Sequence, residues 1–167
     1  MKIVENDIIY SRLVNDILTN EDFCKLKYIE HHATNKYAHS IRISYRAYKI
    51  AKFLKLDSVA VARAGLLHDF AISKNGRTLK ERAIETFIHP KKALEESKKR
   101  FELSDMEENI IVSHMFPFYT ALPKYAESWL VDIVDKIIGS YEMLQKCSIR
   151  VAYYANMYIL VLFSIIK

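Results

Sequence analysis

The sequence predicts an all-α fold, and three observations support it. Apolar residues recur at helical spacing along most of the chain, and no stretch shows the sustained alternation of a half-buried strand. Only three glycines and three prolines interrupt the chain. A chain of 167 residues, 51% of them hydrophobic, is long enough to bury a core and has the size of one domain. We therefore expect residues 1–167 to form a single helical bundle.

The first half of the chain divides into helices at recognisable caps. Apolar spacing over 7–18 predicts a first helix. Thr19 or Asn20 can cap a second helix that runs to about residue 31. A long amphipathic helix is expected over 36–54, where apolar and basic residues alternate at helical intervals.

A polar loop separates the next two predicted helices. Asp57 or Ser58 caps a helix whose small residues, ending in Gly65, allow a neighbouring helix to come close. After the loop, a helix from about Leu79 is expected to end near 88–90. Proline disfavours helical geometry in the residue before it and suits the first turn of a following helix, so His89 is predicted to lie at a junction.

The second half of the chain has one strong start signal. Ser104 and Glu107 form a capping-box pattern that predicts a helix over the following residues. A further helix is expected over 127–144, and a separate apolar helix over about 149–166. The apolar run 151–166 is shorter than the roughly 20 residues of a spanning helix. We expect this run to close the core or to contact a partner subunit rather than a membrane. Homo-oligomer formation stays open.

Charge and cysteine content set broad limits. The formal net charge is +5, from 25 Lys and Arg against 20 Asp and Glu spread along the chain. This charge fits an anionic substrate such as a phosphate ester, although a solvated basic surface is the favoured interpretation. Such a scattered excess of positive charge predicts no nucleic-acid partner. Cys24 and Cys147 lack the spacing of a paired motif, and residues 1–10 do not resemble a secretory signal, which favours a cytoplasmic location.

The stretch from Ala64 to Phe70 places His68 next to Asp69 at the end of an apolar helical run. An imidazole nitrogen and a carboxylate oxygen together suit a divalent transition metal. Adjacent helical residues do not share a face, so one ion can hold both only where the helix ends. The pair therefore predicts a metal site at a helix terminus.

Other ligand-type residues lie in separate helical segments, and a bundle can project such residues into a common interior. Spacing alone does not establish that they meet. A histidine can instead cap a helix end, and Asp132 shares a helical face with Asp135 and competes with it. The candidates are His39, His68, Asp69, His89, His114 and Asp135.

The order of these residues resembles the HD-domain superfamily of metal-dependent phosphohydrolases. The resemblance covers about residues 35–140. It rests on the local sequences Tyr37-Ala38-His39-Ser40, Ala64-Gly65-Leu66-Leu67-His68-Asp69 and Val134-Asp135-Lys136.

The resemblance implies a ligand set. It assigns one ion to His39, His68, Asp69 and Asp135. His89 and His114 match the positions that hold a second ion, with Asp69 bridging the two and acting as the candidate catalytic residue. Such ligands suit iron, manganese, zinc, cobalt or nickel.

The function implied is hydrolysis of a small phosphorylated metabolite, with a nucleotide favoured, by a metal-activated water. Lys74, Arg77 and Lys136 are candidate phosphate contacts. The Gly-Tyr-Pro signature of the cyclic-di-GMP-cleaving branch and the acidic motif of the guanosine tetraphosphate hydrolases are not recognisable. The alternatives are an inactive nucleotide-binding regulatory module and a di-iron oxygenase on the same fold.

Overall fold

The computed structural model describes residues 7–31, 34–71 and 79–165, with side chains for 7–29, 34–71 and 87–153. It confirms the all-α fold. The predicted first helix is broken at Val14, which leaves helical geometry with φ −112° and ψ 12° and is fully buried. The N-terminal part thus consists of short helices: α1 (Ile8–Leu13), α2 (Asn15–Leu18), α3 (Glu21–Cys24, capped by Asn20) and a 3₁₀ helix (Lys25–Tyr28).

A small antiparallel ribbon replaces the end of the predicted second helix. Strand β1 (Glu30–His31) pairs with β2 (Thr34–Asn35). The side chain of Asn35 accepts a hydrogen bond from the Ala38 N–H and so caps α4 (Lys36–Leu54), whose bounds match the prediction. The ribbon therefore sets where α4 begins.

Helix α5 (Ser58–Leu67) begins at Asp57, whose carboxylate accepts from the N–H groups of Val59 and Ala60. It packs closely on α4 through Gly65, as the small residues predicted. A Cβ atom on Gly65 would lie 2.9 Å from the Cα of Ser44. This close approach brings the end of α5 beside the first turns of α4.

Helix α6 (Leu79–Lys98) continues through Pro90, so the predicted end near 88–90 is wrong. Proline removes one backbone donor from a helix, at a cost that tertiary packing can outweigh. Pro90 is buried here, and the next turn buries Ala93. His89 accordingly lies inside a helix and not at a junction.

The last two helices complete the bundle. In α7 (Asp105–Ser113) Ser104 and Glu107 form the predicted capping box. Helix α8 (Ala126–Ile165) is continuous over 40 residues, which corrects the prediction of two helices over 127–144 and 149–166. No proline follows Pro123 in the sequence, so nothing ends the helix at their boundary.

The core lies between α4, α5, α7 and the first half of α8, and the short N-terminal helices add buried side chains to it. Among the side chains of α8 that the structure describes, Glu142 is the last buried one, and those from Met143 to Tyr153 are exposed or partly exposed. Among the described residues, no helix is both long enough and apolar enough to span a membrane. The largest fully buried apolar side chains are Tyr10, Tyr48, Phe23, Phe70, Ile17, Leu26, Ile43, Leu66, Leu67, Ile110 and Ile111.

Candidate metal centre

The predicted helix end at the His-Asp pair is present. Helix α5 ends at Leu67, His68 is its C-cap, and Asp69 follows. Both side chains are buried, with His68 1% and Asp69 4% exposed. The turn out of the helix lets two adjacent residues face the interior together.

A first ligand group comes from α4, the end of α5 and α8. The Oδ1 atom of Asp135 lies 3.2 Å from Nε2 of His39 and 3.8 Å from Nε2 of His68. One ligand atom from each of the three residues lies within 4.8 Å of the other two. These distances suit three ligands around one ion.

A second ligand group comes from Asp69, which follows the C-cap of α5, from His89 in α6 and from His114, the C-cap of α7. The Oδ1 atom of Asp69 lies 3.2 Å from Nε2 of His89 and 3.7 Å from Nε2 of His114. These three residues also offer atoms within 4.8 Å of one another. The position of His89 inside α6 therefore still directs its ring to the centre.

The two groups are neighbours. The imidazole rings of His68 and His114 are 5.0 Å apart between centroids, and those of His39 and His68 are 5.6 Å apart. All six predicted ligands thus converge from five segments of the chain. Asp69 belongs to the second group, and its bridging role stays a prediction.

The orientation of the rings fits a metal. The Nδ1–H of His68 donates to the carbonyl of Gly65 at 2.9 Å, and the Nδ1–H of His114 donates to the carbonyl of Ile111 at 2.7 Å. These bonds leave the lone pair on Nε2, which faces the centre. Within the described part of the chain, the buried Nε2 of His68 has no hydrogen-bond partner. An unsatisfied buried nitrogen is costly, and a bound cation would satisfy it.

Electrostatics differ between the two groups. Burial and the neighbouring rings of His68 and His89 lower the pKa of His114 to about 3, so it is neutral and ready to bind a cation. Burial alone would lower the pKa of His39, but its hydrogen bonds to the carboxylates of Asp135 and Glu142 raise it to about 9.

The pKa of Asp135 is also shifted. Burial acts to raise it, but the hydrogen bond from His39 and the fields of His68 and His114 together hold it below its ordinary value. The carboxylate of Asp135 is thus ionised at neutral pH, and a cation that bound to the first group would displace the proton on Nε2 of His39.

Two residues near the centre were missed by the sequence analysis. The carboxylate of Glu142 accepts a hydrogen bond from Nδ1 of His39 at 2.8 Å. The ammonium of Lys36 lies 3.4 Å from the backbone carbonyl of Asp69. Helical spacing offered only a weak signal for either residue: Lys36 is one turn before His39, and Glu142 is about two turns after Asp135.

The predicted phosphate contacts have different positions. Lys136 pairs with the carboxylate of Asp132 one turn earlier on α8. Asp132 is buried, and burial raises its pKa despite the contact with Lys136. Lys74 and Arg77 lie outside the described residues. Contact of all three cations with phosphate stays a prediction.

Comparison with known proteins identifies the family. No curated protein and no solved structure matches the chain significantly. A family model described as HD domain matches residues 37–139, which is more than half of the chain and contains all six ligand candidates. This superfamily is one of metal-dependent phosphohydrolases. The chain belongs to the HD domain family.

Proposed function

We propose that the protein is a metal-dependent phosphohydrolase, a phosphatase or phosphodiesterase, acting on a small phosphorylated metabolite in the cytoplasm. The observation that carries the proposal is the convergence of two three-residue ligand groups. A nucleotide is the favoured substrate. The ligands would be His39, His68 and Asp135 for one ion and Asp69, His89 and His114 for the other.

The chemistry follows from these ligands. Bound divalent transition ions supply Lewis-acid activation of a water molecule and of a phosphoryl oxygen. In the hydrolysis, the water oxygen forms a bond to phosphorus, the P–O bond to the leaving group breaks, and the leaving oxygen takes up a proton. Asp69, the candidate catalytic residue, would accept a proton from the water through its carboxylate. His89 and Asp135 are the more exposed ligands, at 19% and 17% of their side chains, and mark the side from which substrate approaches.

Lys36 is the described cation best placed to contact the substrate phosphate. Its ammonium lies 3.4 Å from the backbone carbonyl of Asp69, a residue of the second ligand group. Charge that develops on phosphoryl oxygens during transfer is stabilised by a preorganised cation. Lys36 would therefore act with the bound ions, whereas the ammonium of Lys136 is engaged by Asp132.

The test is a substrate panel with the metal-loaded protein. We expect hydrolysis of nucleoside monophosphates, simple aryl phosphates or phosphodiesters after loading with Mn²⁺, Fe²⁺, Co²⁺, Ni²⁺ or Zn²⁺. The double variant His68→Ala/Asp69→Ala should lose both bound metal and turnover. Turnover that survives in this variant would contradict the proposal.

Two other results would favour the alternatives. A protein that holds metal and binds nucleotides but cleaves nothing on the panel would be a regulatory module. Oxygen consumption by the iron-loaded protein with an organic substrate would indicate a di-iron oxygenase.

A further inference from the structure

Glu142 links the first ligand group to the surface of α4. Its Oε2 atom accepts the hydrogen bond from Nδ1 of His39 at 2.8 Å, and its Oε1 atom accepts from Nη1 of Arg42 at 2.5 Å. Arg42 lies one turn after His39 on α4. The three side chains thus form a chain of contacts from the interior to the solvent.

The burial of Glu142 calls for a specific reason. It is 1% exposed, and the side chains described after it on α8, from Met143 to Tyr153, are exposed or partly exposed. A buried carboxylate is costly unless both oxygens are paired. Both are paired here: one oxygen contacts His39, and the other contacts Arg42, which orients the carboxylate.

We propose that Glu142 is a positioning residue for His39. By accepting the Nδ1–H, its carboxylate fixes the ring orientation and keeps Nε2 as the metal-binding atom. A charged acceptor also increases the electron donation of that nitrogen to a cation. Arg42 acts one step further out by holding the carboxylate in place.

The Nδ1–H groups of His68 and His114 have different acceptors from that of His39, so the effect of Glu142 should be specific to the ligand group of His39. His68 and His114 donate their Nδ1–H to neutral backbone carbonyls. Of these three rings, His39 has the charge-assisted bond, which is roughly twice as strong as a neutral one. Loss of the Glu142 carboxylate should therefore weaken the ligand group of His39 and spare the group of Asp69, His89 and His114.

This inference rests on the metal centre of the proposed function but not on the reaction. Its test is a calorimetric titration of the whole chain with Mn²⁺ alone. The variants His68→Ala and His89→Ala identify the binding steps of the first and second groups. Wild-type protein that binds no Mn²⁺ would refute the centre itself. Where wild type shows two binding steps, the affinities of the Glu142 variants test whether Glu142 positions His39.

Glu142→Ala should weaken the first-group step about ten- to hundredfold, the range typical of a lost outer partner. The second-group step should change less than about twofold, since the carboxylate of Glu142 contacts His39 and Arg42, and the ring of His114 uses a backbone acceptor. Glu142→Gln should show a smaller loss at the same step, because an amide oxygen still accepts a hydrogen bond but carries no charge. Arg42→Ala should weaken that step as well.

The matched control is Glu127→Ala. Glu127 is a buried carboxylate of the same helix, 8% exposed, and accepts from the backbone N–H of Asp57 at 3.0 Å. Its loss should lower the thermal stability of the metal-free protein and leave both Mn²⁺ steps intact. The role of Glu142 is refuted if Glu142→Ala binds Mn²⁺ like wild type, or weakens both steps equally. If Glu142→Ala does not fold, wild-type affinity in Glu142→Gln refutes it.

Discussion

The Nε2 atoms of His89 and His114 lie 2.9 Å apart, and both face the carboxylate of Asp69. The Nδ1–H of His114 already donates to Ile111, so its Nε2 carries a lone pair. Two ring nitrogens and a carboxylate oxygen at such distances are the ligand atoms that a transition cation prefers.

Removing one of these rings should empty one site and leave the other. In His89→Ala the second group retains Asp69 and His114, which is too few protein ligands for tight binding. The first group of His39, His68 and Asp135 is unchanged. Metal analysis after Mn²⁺ loading and gel filtration should therefore give about one ion per chain where wild type holds about two. Equal metal content in the two proteins would refute the second site.

The metal-free protein should be most stable near neutral pH. His39 has its folded pKa raised from 6.5 to about 9, so its contribution is fully present below 6.5 and is lost as the pH rises through 9. His114 has its folded pKa lowered from 6.5 to about 3, so its contribution is present above 6.5 and is lost as the pH falls toward 3.

Urea unfolding with EDTA between pH 4.5 and about 9.5 measures this dependence. His39→Gln should flatten the fall in unfolding free energy above pH 6.5. A fall of the same size in wild type and His39→Gln would show that another group causes it.

Gly65→Ala should destabilise the protein, although alanine is the better helix former. The new methyl group would lie 2.9 Å from the Cα of Ser44, a backbone atom that cannot move without shifting α4. Overpacking of this kind costs about 1–3 kcal/mol in the free energy of unfolding, measured in urea. Val59→Ala, at a position of α5 that is 49% exposed, is the control and should stay close to wild type.

Lys36→Ala should impair turnover and leave metal binding intact. Its ammonium lies beside Asp69 without belonging to either ligand group. Loss of one preorganised charge at a phosphoryl-transfer site lowers kcat by about 100-fold. The control is Lys49→Ala, an exposed cation on the same helix. Unchanged kcat/KM in Lys36→Ala would remove this residue from the site.

Local signals predicted those parts of the fold that depend on local contacts. The caps Asn20, Asp57 and Ser104 act within a few residues, and the structure confirms them. The continuation of α6 through Pro90 was not predictable in this way, because burial of the proline and the following turn outweighs its local preference. The continuity of α8 was also not predicted. Side-chain exposure changes along this helix, but the sequence keeps its preference for helical backbone geometry throughout.

The six candidate ligands, which the structure brings together, were identifiable because their order along the chain matches a family pattern. Glu142 was not, since a single glutamate on a long helix is usually a solvated residue. Its role depends on the packing of α8 against α4, which brings its carboxylate to Nδ1 of His39. Such long-range pairing leaves only a weak trace in the spacing of one helix.

Metal analysis of the Mn²⁺-loaded chain beside His68→Ala/Asp69→Ala tests the central claim most directly. His68 belongs to the first ligand group and Asp69 to the second, so the double variant breaks both. We predict about two ions per wild-type chain, and little or none in the variant when both proteins are folded by circular dichroism. Equal metal content in the two folded proteins would contradict the account.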